Sequence, residues 1–390
     1  MRINTYKNDI FLVTAVVILL TIGIIMVFSA SAVMAHEKHG SSIYYYLKQI
    51  LWGFLCIMAI FVFSRLKIST YTRGKIPIFL LLLSVLLLIG LFFAGDVVNG
   101  AKRWYDMGIA SFQPSEFAKI ALIIYFAEVF SRKKSSALRD WKKGLLPLAV
   151  IFMLVIVPIY FQPDLGTVVM ISLIIATMTF LSNVRFKHIL GAFIFLLPAL
   201  LLKLQSSSYQ TDRIKDWIEN LSNPLGSGYQ IKQSMIGLGN GGLIGSGIGR
   251  SKQKFFFLPD SHTDFVFSIL GEELGFIGTS IILILFLVIL WRGIRIAKRA
   301  GSTFTQYLAV GLTMNIVLYG FMNAAVTTML IPTTGMPMPF LSYGGSSLLS
   351  VGISIGILMN IARNQYQLDG RFEDLNRNRK ELYNTLIMSR

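Results

Sequence analysis

The stretch FLPDSHTDFVFSILGEELGFIG, Phe257 to Gly278, carries four carboxylates, three of which, Asp264, Glu272 and Glu273, stand at the start of an apolar helix or within it. Asp264 stands where an acidic, loop-like approach turns into an apolar helix, and Glu272 and Glu273 follow eight and nine residues later. At ~1.5 Å per residue the two glutamates lie about 12 Å beyond Asp264, inside a hydrocarbon core about 30 Å thick. Acids at that depth point to function, and an acid at the boundary is placed to act as a general base. Successive helical residues turn by about 100°, so Glu273 faces away from Asp264 while Glu272 lies nearer its side; these polar faces need a protein interior or a wet cavity. Asp264, or Thr263 before it, is equally suited to cap the helix, its charge favoured by the helix dipole. Arg250, Lys252 and Lys254, just upstream, bring positive charge for this carboxylate or for an anionic substrate group.

Other constellations are shorter. In Gln113-Pro114-Ser115-Glu116-Phe117-Ala118-Lys119, Pro114 suits a first helical turn, and Glu116 and Lys119 share a face, either as an ion pair that joins helices or as a functional pair. Gln162-Pro163-Asp164-Leu165-Gly166 reads as a tight turn with Asp164 as a cap, and Arg213 is free in sequence to meet a phosphate or its neighbour Asp212. The glycine-rich run Gly226 to Gly249 contains G-x-G-x-x-G at Gly237, Gly239 and Gly242, but no strand precedes it, so a dinucleotide site is rejected. It is either a flexible surface loop or one whose backbone N–H groups approach phosphates. Pro332, Pro337 and Pro339 with Leu341 to Ser347 form an apolar hairpin, a lid or re-entrant segment near the acids. His36, His39, His188 and His262 lack metal-ligand spacing, so no metal site is assigned.

The elements that must position these residues are membrane helices. The chain is 54% hydrophobic and 14% charged over 390 residues, with its apolar residues in long runs, more than one soluble core buries. The excess of Lys and Arg, +17 net, falls between those runs, as for loops held against anionic lipid, and no nucleic-acid partner is assigned. Cys56 stands alone, so an internal disulfide is excluded. Arg2 and Lys7 precede the run Ile10 to Phe28, which is too long for a signal-peptide core and reads as a retained anchor. Apolar stretches at 10–31, 47–63, 76–94, 114–130, 145–161, 166–181, 188–203, 264–290, 305–329 and 345–362 predict an all-α polytopic membrane protein with about ten transmembrane helices. A large extracytoplasmic loop, 204–263, separates the seventh from the eighth, within a membrane domain over 1–364, and 365–390 form a polar cytoplasmic tail. Basic residues alternate between loops, dense at Arg132 to Lys143 and sparse at Lys102 and Arg103, which puts both termini in the cytoplasm and Asp264 on the outer side.

Taken together, Asn99 to Trp104, Gln113 to Lys119, Gln162 to Thr167, Pro224 to Gln230, Phe257 to Gly275 and Pro339 to Ser346 closely resemble the SEDS proteins (shape, elongation, division and sporulation), which include FtsW, RodA and SpoVE. The run Ser251 to Phe257 is more similar to the division and sporulation branch than to the elongation branch. The resemblance implies a peptidoglycan glycosyltransferase of the bacterial cytoplasmic membrane that polymerises lipid II beside a class B penicillin-binding protein. It implies an essential acid at Asp264, in H-T-D-F, and important residues at Glu116 and Lys119, in P-S-E-x-x-K. The sequence departs from the family at Asp260-Ser261, where a glutamate is expected first, yet the charge is kept.

The resulting expectation has Asp264 as catalytic base toward the 4-hydroxyl of the acceptor sugar. Glu116, Lys119, Arg103, Arg213, Lys252, Lys254, His262 and Ser342 are the expected substrate-binding residues. Cations among them, or a divalent ion (Mg or Mn), would offset charge on the pyrophosphate. The rival readings are a lipid II flippase, with Glu116, Lys119, Glu272 and Glu273 along its path, and a non-catalytic scaffold for the transpeptidase.

Overall fold

The structure, a computed structural model, describes residues 10–72, 75–98, 101–108, 111–191, 194, 208–223 and 228–364. Its principal helices are α1 (Ile10–His39), α2 (Tyr44–Arg65), α3 (Ile76–Ala94), α4 (Pro114–Arg132), α5 (Leu146–Phe161) and α6 (Leu165–Leu181). After these come α7 (Ser208–Ser222), α8 (Tyr229–Gly241), α9 (Val266–Lys298), α10 (Thr303–Thr327) and α11 (Gly345–Asn364). Helices such as α1 are apolar all round: Leu12, Leu19 and Met26 face the protein, while Phe11, Val17 and Ile25 on the other side stay exposed. An apolar outer face is unfavourable in water and at home against lipid chains.

The expectation of about ten transmembrane helices is corrected. Among the described residues, seven helices are long and apolar enough to cross a membrane: α1, α2, α3, Trp141–Phe161, α9, α10 and α11. The shortfall has physical causes. Helix α4 holds Glu116, Lys119 and Glu128 buried within the protein, because it packs against α3 and α10 and is enclosed on most sides. Helix α6, with 17 residues, falls short of a span. Most of the expected 188–203 helix, like the 365–390 tail, lies outside the described residues. The chain is also not helical throughout: β1 (Asp96–Val98), β2 (Ala101–Asp106) and β3 (Ser111–Phe112) form an antiparallel meander in the order β1-β2-β3 between α3 and α4.

Helix α9, the longest of the set, is broken at Gly275, whose φ of 68° and ψ of −167° no helix contains. A break at membrane depth frees backbone groups that lipid cannot satisfy. The glycine-rich turn after α8 supplies their partners: Ser246 and Gly247 donate to the Glu272 and Glu273 carbonyls, both at 3.0 Å. In return, Phe276 and Ile277 donate to the Gly242 and Leu243 carbonyls at 2.9 and 3.1 Å. A Cβ on Gly245 would collide with the Glu273 carbonyl, so this approach requires glycine there. Leu243, Ile244 and Ile248 on the turn and Phe276 and Ile277 on α9 are exposed together, continuing the lipid-facing belt. The glycine run is thus built into the helix bundle.

Candidate active site

Asp264 lies in the turn just before α9, which starts at Val266 with Phe265 as its N-cap and no side-chain cap hydrogen bond. The carboxylate is therefore not committed to capping, one of its two sequence readings. Its backbone is fixed from two sides: Asp264 N–H donates to the Asp260 carbonyl at 3.1 Å, and Asn323 Nδ2 donates to the Asp264 carbonyl at 2.7 Å. Asn323, buried on α10, also donates to the Met336 carbonyl at 2.8 Å and so clamps the Asp264 turn to the proline-rich hairpin. Asn323, one of two asparagines in an apolar helix, was the signal for this clamp, and it is not among the residues singled out from the sequence.

Two arginines reach the same place. Arg213 on α7 donates to the Thr333 carbonyl at 3.3 Å, and Trp217, one turn on, donates to the Met329 carbonyl at 2.9 Å, which docks α7 on the hairpin. A methyl group on Gly335 would lie 3.5 Å from Asp264 Oδ2 and 3.6 Å from a guanidinium nitrogen of Arg213, so acid and base meet at that glycine. Arg103 on β2 donates to the Gln162 carbonyl at 3.1 Å and to the Pro163 carbonyl. The turn it holds presents Asp164, which caps α6 by accepting from Thr167 N at 3.2 Å and Thr167 Oγ1 at 2.9 Å. Burial, and then the negative charge of Asp260, push the Asp264 carboxyl up to about 7, against the opposing pull of Arg213 and Arg103. The residue as a whole is half-buried. A carboxyl in this range can take up a proton near neutral pH, and the charges of Arg213 and Arg103 act on it.

The remaining expected residues occupy three other places. Glu116 and Lys119 form a buried ion pair of 2.9 Å, closed by Ser350 Oγ, which donates to Glu116 at 2.8 Å, and by the Tyr319 ring, 3.8 Å from the ammonium. Lys254 belongs to a lock about two turns into α9: its ammonium bonds Glu273 at 3.1 Å, Ser29 Oγ at 3.1 Å and the Gly249 carbonyl at 2.6 Å. Ser29 on α1 donates to Glu273 at 2.6 Å. Glu272 accepts from the backbones of Lys252 and Gln253 at 3.1 and 3.2 Å and from Ser251 Oγ, while the Lys252 side chain points outward. His262 is buried beside Tyr45 and Tyr343, its ring kept neutral by burial and by Lys38, which lower it to about 4. Ser342 accepts from Met338 N at 2.8 Å and so shapes the hairpin.

Among the described residues no three of His, Cys, Asp and Glu are grouped to hold a metal, and the cations beside Asp264 are guanidinium groups.

The chain as a whole has known relatives. The FtsW/RodA/SpoVE family model, described as "Cell cycle protein", matches residues 10–367. The chain belongs to this family. It is 40% identical over 357 residues to stage V sporulation protein E of Bacillus subtilis, covering 91% of this chain and 97% of that protein. Over 356 residues it is 37% identical to the "Probable peptidoglycan glycosyltransferase FtsW" of Geobacter sulfurreducens, covering 91% and 95%. Among solved folds of this family, RodA of Thermus thermophilus superposes with a TM-score of 0.68 at 24% identity, over 92% of this chain and 98% of that one. A chain from the structure "Structural coordination of polymerization and crosslinking by a peptidoglycan synthase complex" reaches 0.74 at 24% identity, over 93% and 99%.

Proposed function

We propose that this protein is a peptidoglycan glycosyltransferase that polymerises lipid II on the outer face of the bacterial cytoplasmic membrane, in division, elongation or sporulation. The name of the Geobacter relative supports the reaction class. The observation that carries the reading is Asp264: half-buried, not used as a cap, raised toward neutrality and flanked by Arg213 and Arg103. Asp264 takes the proton of the acceptor's 4-hydroxyl as that oxygen bonds the anomeric carbon of the donor. The bond from that carbon to undecaprenyl pyrophosphate breaks, and the pyrophosphate leaves with the electron pair. Arg213 and Arg103 face the charge that develops on it. The donor carries its own leaving group, so no nucleotide is consumed.

The transport reading needs acids that look into a path. Glu116, Glu272 and Glu273 instead have their oxygens engaged by Lys119, Ser350, Ser251, Ser29, Lys254 and backbone N–H groups. A scaffold has no need of an acid raised toward neutrality at the outer boundary. The proposed partner is a class B penicillin-binding protein, whose crosslinking follows polymerisation. The reading is tested by giving purified full-length protein, with that partner, labelled lipid II and resolving the products by size. Glycan ladders are expected; unchanged lipid II with a correctly folded complex would overturn it.

The same reading puts residues 1–364 in one membrane domain, with both termini and the 365–390 tail in the cytoplasm. A cysteine placed at Lys215 on α7 should react with an impermeant reagent added outside, and one at Ser135 should not. The native Cys56 is buried and silent in this assay. The reverse pattern would invert the topology.

A further inference from the structure

The ends of α5 and α6 remote from the Asp164 turn, cytoplasmic in the proposed topology, carry a cavity that glycosyl transfer does not use. It measures 410 Å³ and is lined by Arg139, Ser182, Asn183, Val184 and Arg185. Its two guanidinium groups come from different loops, which the Trp141 and His188 rings fasten together, edge-on at 5.6 Å. Asp140 is the only acid between Glu128 and Asp164, and residues 165–191 contain none. Its carboxylate is spent within its own loop, accepting from Lys142 N and Lys143 N at 2.8 and 3.1 Å. Arg139 and Arg185 are exposed, and neither has an ion pair among the described residues. The end of α6 does not consume them either, because the Met178 and Thr179 carbonyls already accept from Ser182 N, both at 3.1 Å.

Basic residues that served only to orient the chain could stand anywhere on these loops. Here two of them line one cavity with the Asn183 side chain, a donor set that suits phosphate oxygens. The border of the cavity is apolar. Trp141, Phe180 and Phe186 are 44%, 63% and 63% exposed, as aromatic side chains are at the depth of lipid headgroups. An apolar groove of 940 Å³ begins at the same place and follows α5 from Trp141 to Phe161, with residues of α3 and α6 along its sides. Trp141, two residues after Arg139, and Thr179, three before Ser182, belong to the groove, so the cationic cavity and the apolar one adjoin. A free phosphate or an acidic peptide would use the arginines alone. A ligand with a phosphate at one end and hydrocarbon chains at the other uses both.

We propose that Arg139, Arg185 and Asn183, with the adjoining part of the groove, bind one anionic phospholipid of the cytoplasmic leaflet, its phosphate between the guanidinium groups and its chains along α5. This lipid is not the substrate, whose reaction is placed at the opposite ends of the same helices. The site stands whether or not the chain polymerises lipid II, because its test reads binding.

Full-length protein in detergent is titrated with phosphatidylglycerol and with phosphatidylethanolamine, and bound lipid is counted by native mass spectrometry. One phosphatidylglycerol should bind roughly tenfold or more tightly than phosphatidylethanolamine. Dibutyryl phosphatidylglycerol, whose chains are too short for the groove, and glycerol 3-phosphate should fail to displace it; displacement by either would mean a site for a free phosphate group and overturn the proposal. Arg139→Gln combined with Arg185→Gln should abolish the preference. Lys134→Gln combined with Lys187→Gln removes the same charge from the same two loops outside the cavity and should keep it. Equal losses in the two pairs would mean a diffuse basic surface and overturn the site, as would an unchanged preference in the arginine pair. If the arginine pair does not fold, Arg185→Gln against Lys187→Gln decides in the same way.

Discussion

Two acidic regions sit within ten residues of each other, and their side chains are treated in opposite ways. Glu272 and Glu273, deep in α9, are 2% and 1% exposed and saturated with donors from Ser29, Ser251, Lys252, Gln253 and Lys254. Asp264, at the boundary, is left with its ionised form disfavoured. Depth in the membrane is thus the weaker guide to function. A buried carboxylate whose bonds are all made by its own protein is a structural bolt, and one held short of compensation keeps the capacity to accept a proton.

The contrast breaks most sharply at Asp264→Asn. Polymerisation should fall by about 10²–10⁴-fold, because an amide cannot accept the hydroxyl proton. Stability should hold or rise. The native pKa, about 7, lies above the ordinary carboxyl value of 3.8, so the folded state loses stability as pH climbs from the lower value to the higher, and the amide escapes that loss. Retained glycan synthesis, or a collapsed melting temperature, would erase the distinction between the two regions. The second lesion is Glu273→Ala, which strands the buried Lys254 ammonium and should cost about 3–5 kcal/mol of stability, as removing one partner of a buried pair does. Thermal unfolding in detergent reads this loss, and an unchanged midpoint would show the lock to be incidental. The smallest effect is the pH profile: kcat/KM should drop roughly tenfold per unit as pH falls below about 7 and level off above it. A profile that levels off above pH 5 would mean that Asp264 is an ordinary exposed acid.

How far the sequence carried these conclusions depended on the residue. The position of Asp264 was legible from the edge of the apolar run, though not its freedom from capping, and Asp164 was legible as a cap from its turn. The role of the glycines was not. Their number pointed to close approach, but the approach is to α9 itself, because the break at Gly275 looks in sequence like one tolerated glycine within a helical pattern. Lys254 was grouped with the arginines as a cation for the substrate, since sequence distance hides that the chain folds back to Glu273. The count of spans failed at α4 for a related reason: hydropathy does not distinguish a helix wrapped in protein, which can hold Glu116 and Lys119, from one facing lipid.

The break in α9 bears finally on how the protein is made. Phe276–Lys298, at ~1.5 Å per residue, runs to about 34 Å and is long enough to enter the bilayer as an independent segment during synthesis. Val266–Leu274 is too short to do so, and the carbonyls at its end are satisfied only by the turn translated before it. The two parts of α9 therefore depend on different supports, the inner one on its own length and the outer one on the glycine turn. The Asp264 turn leads directly into that outer part, so its placement rests on the glycine turn and not on the spanning length of the helix.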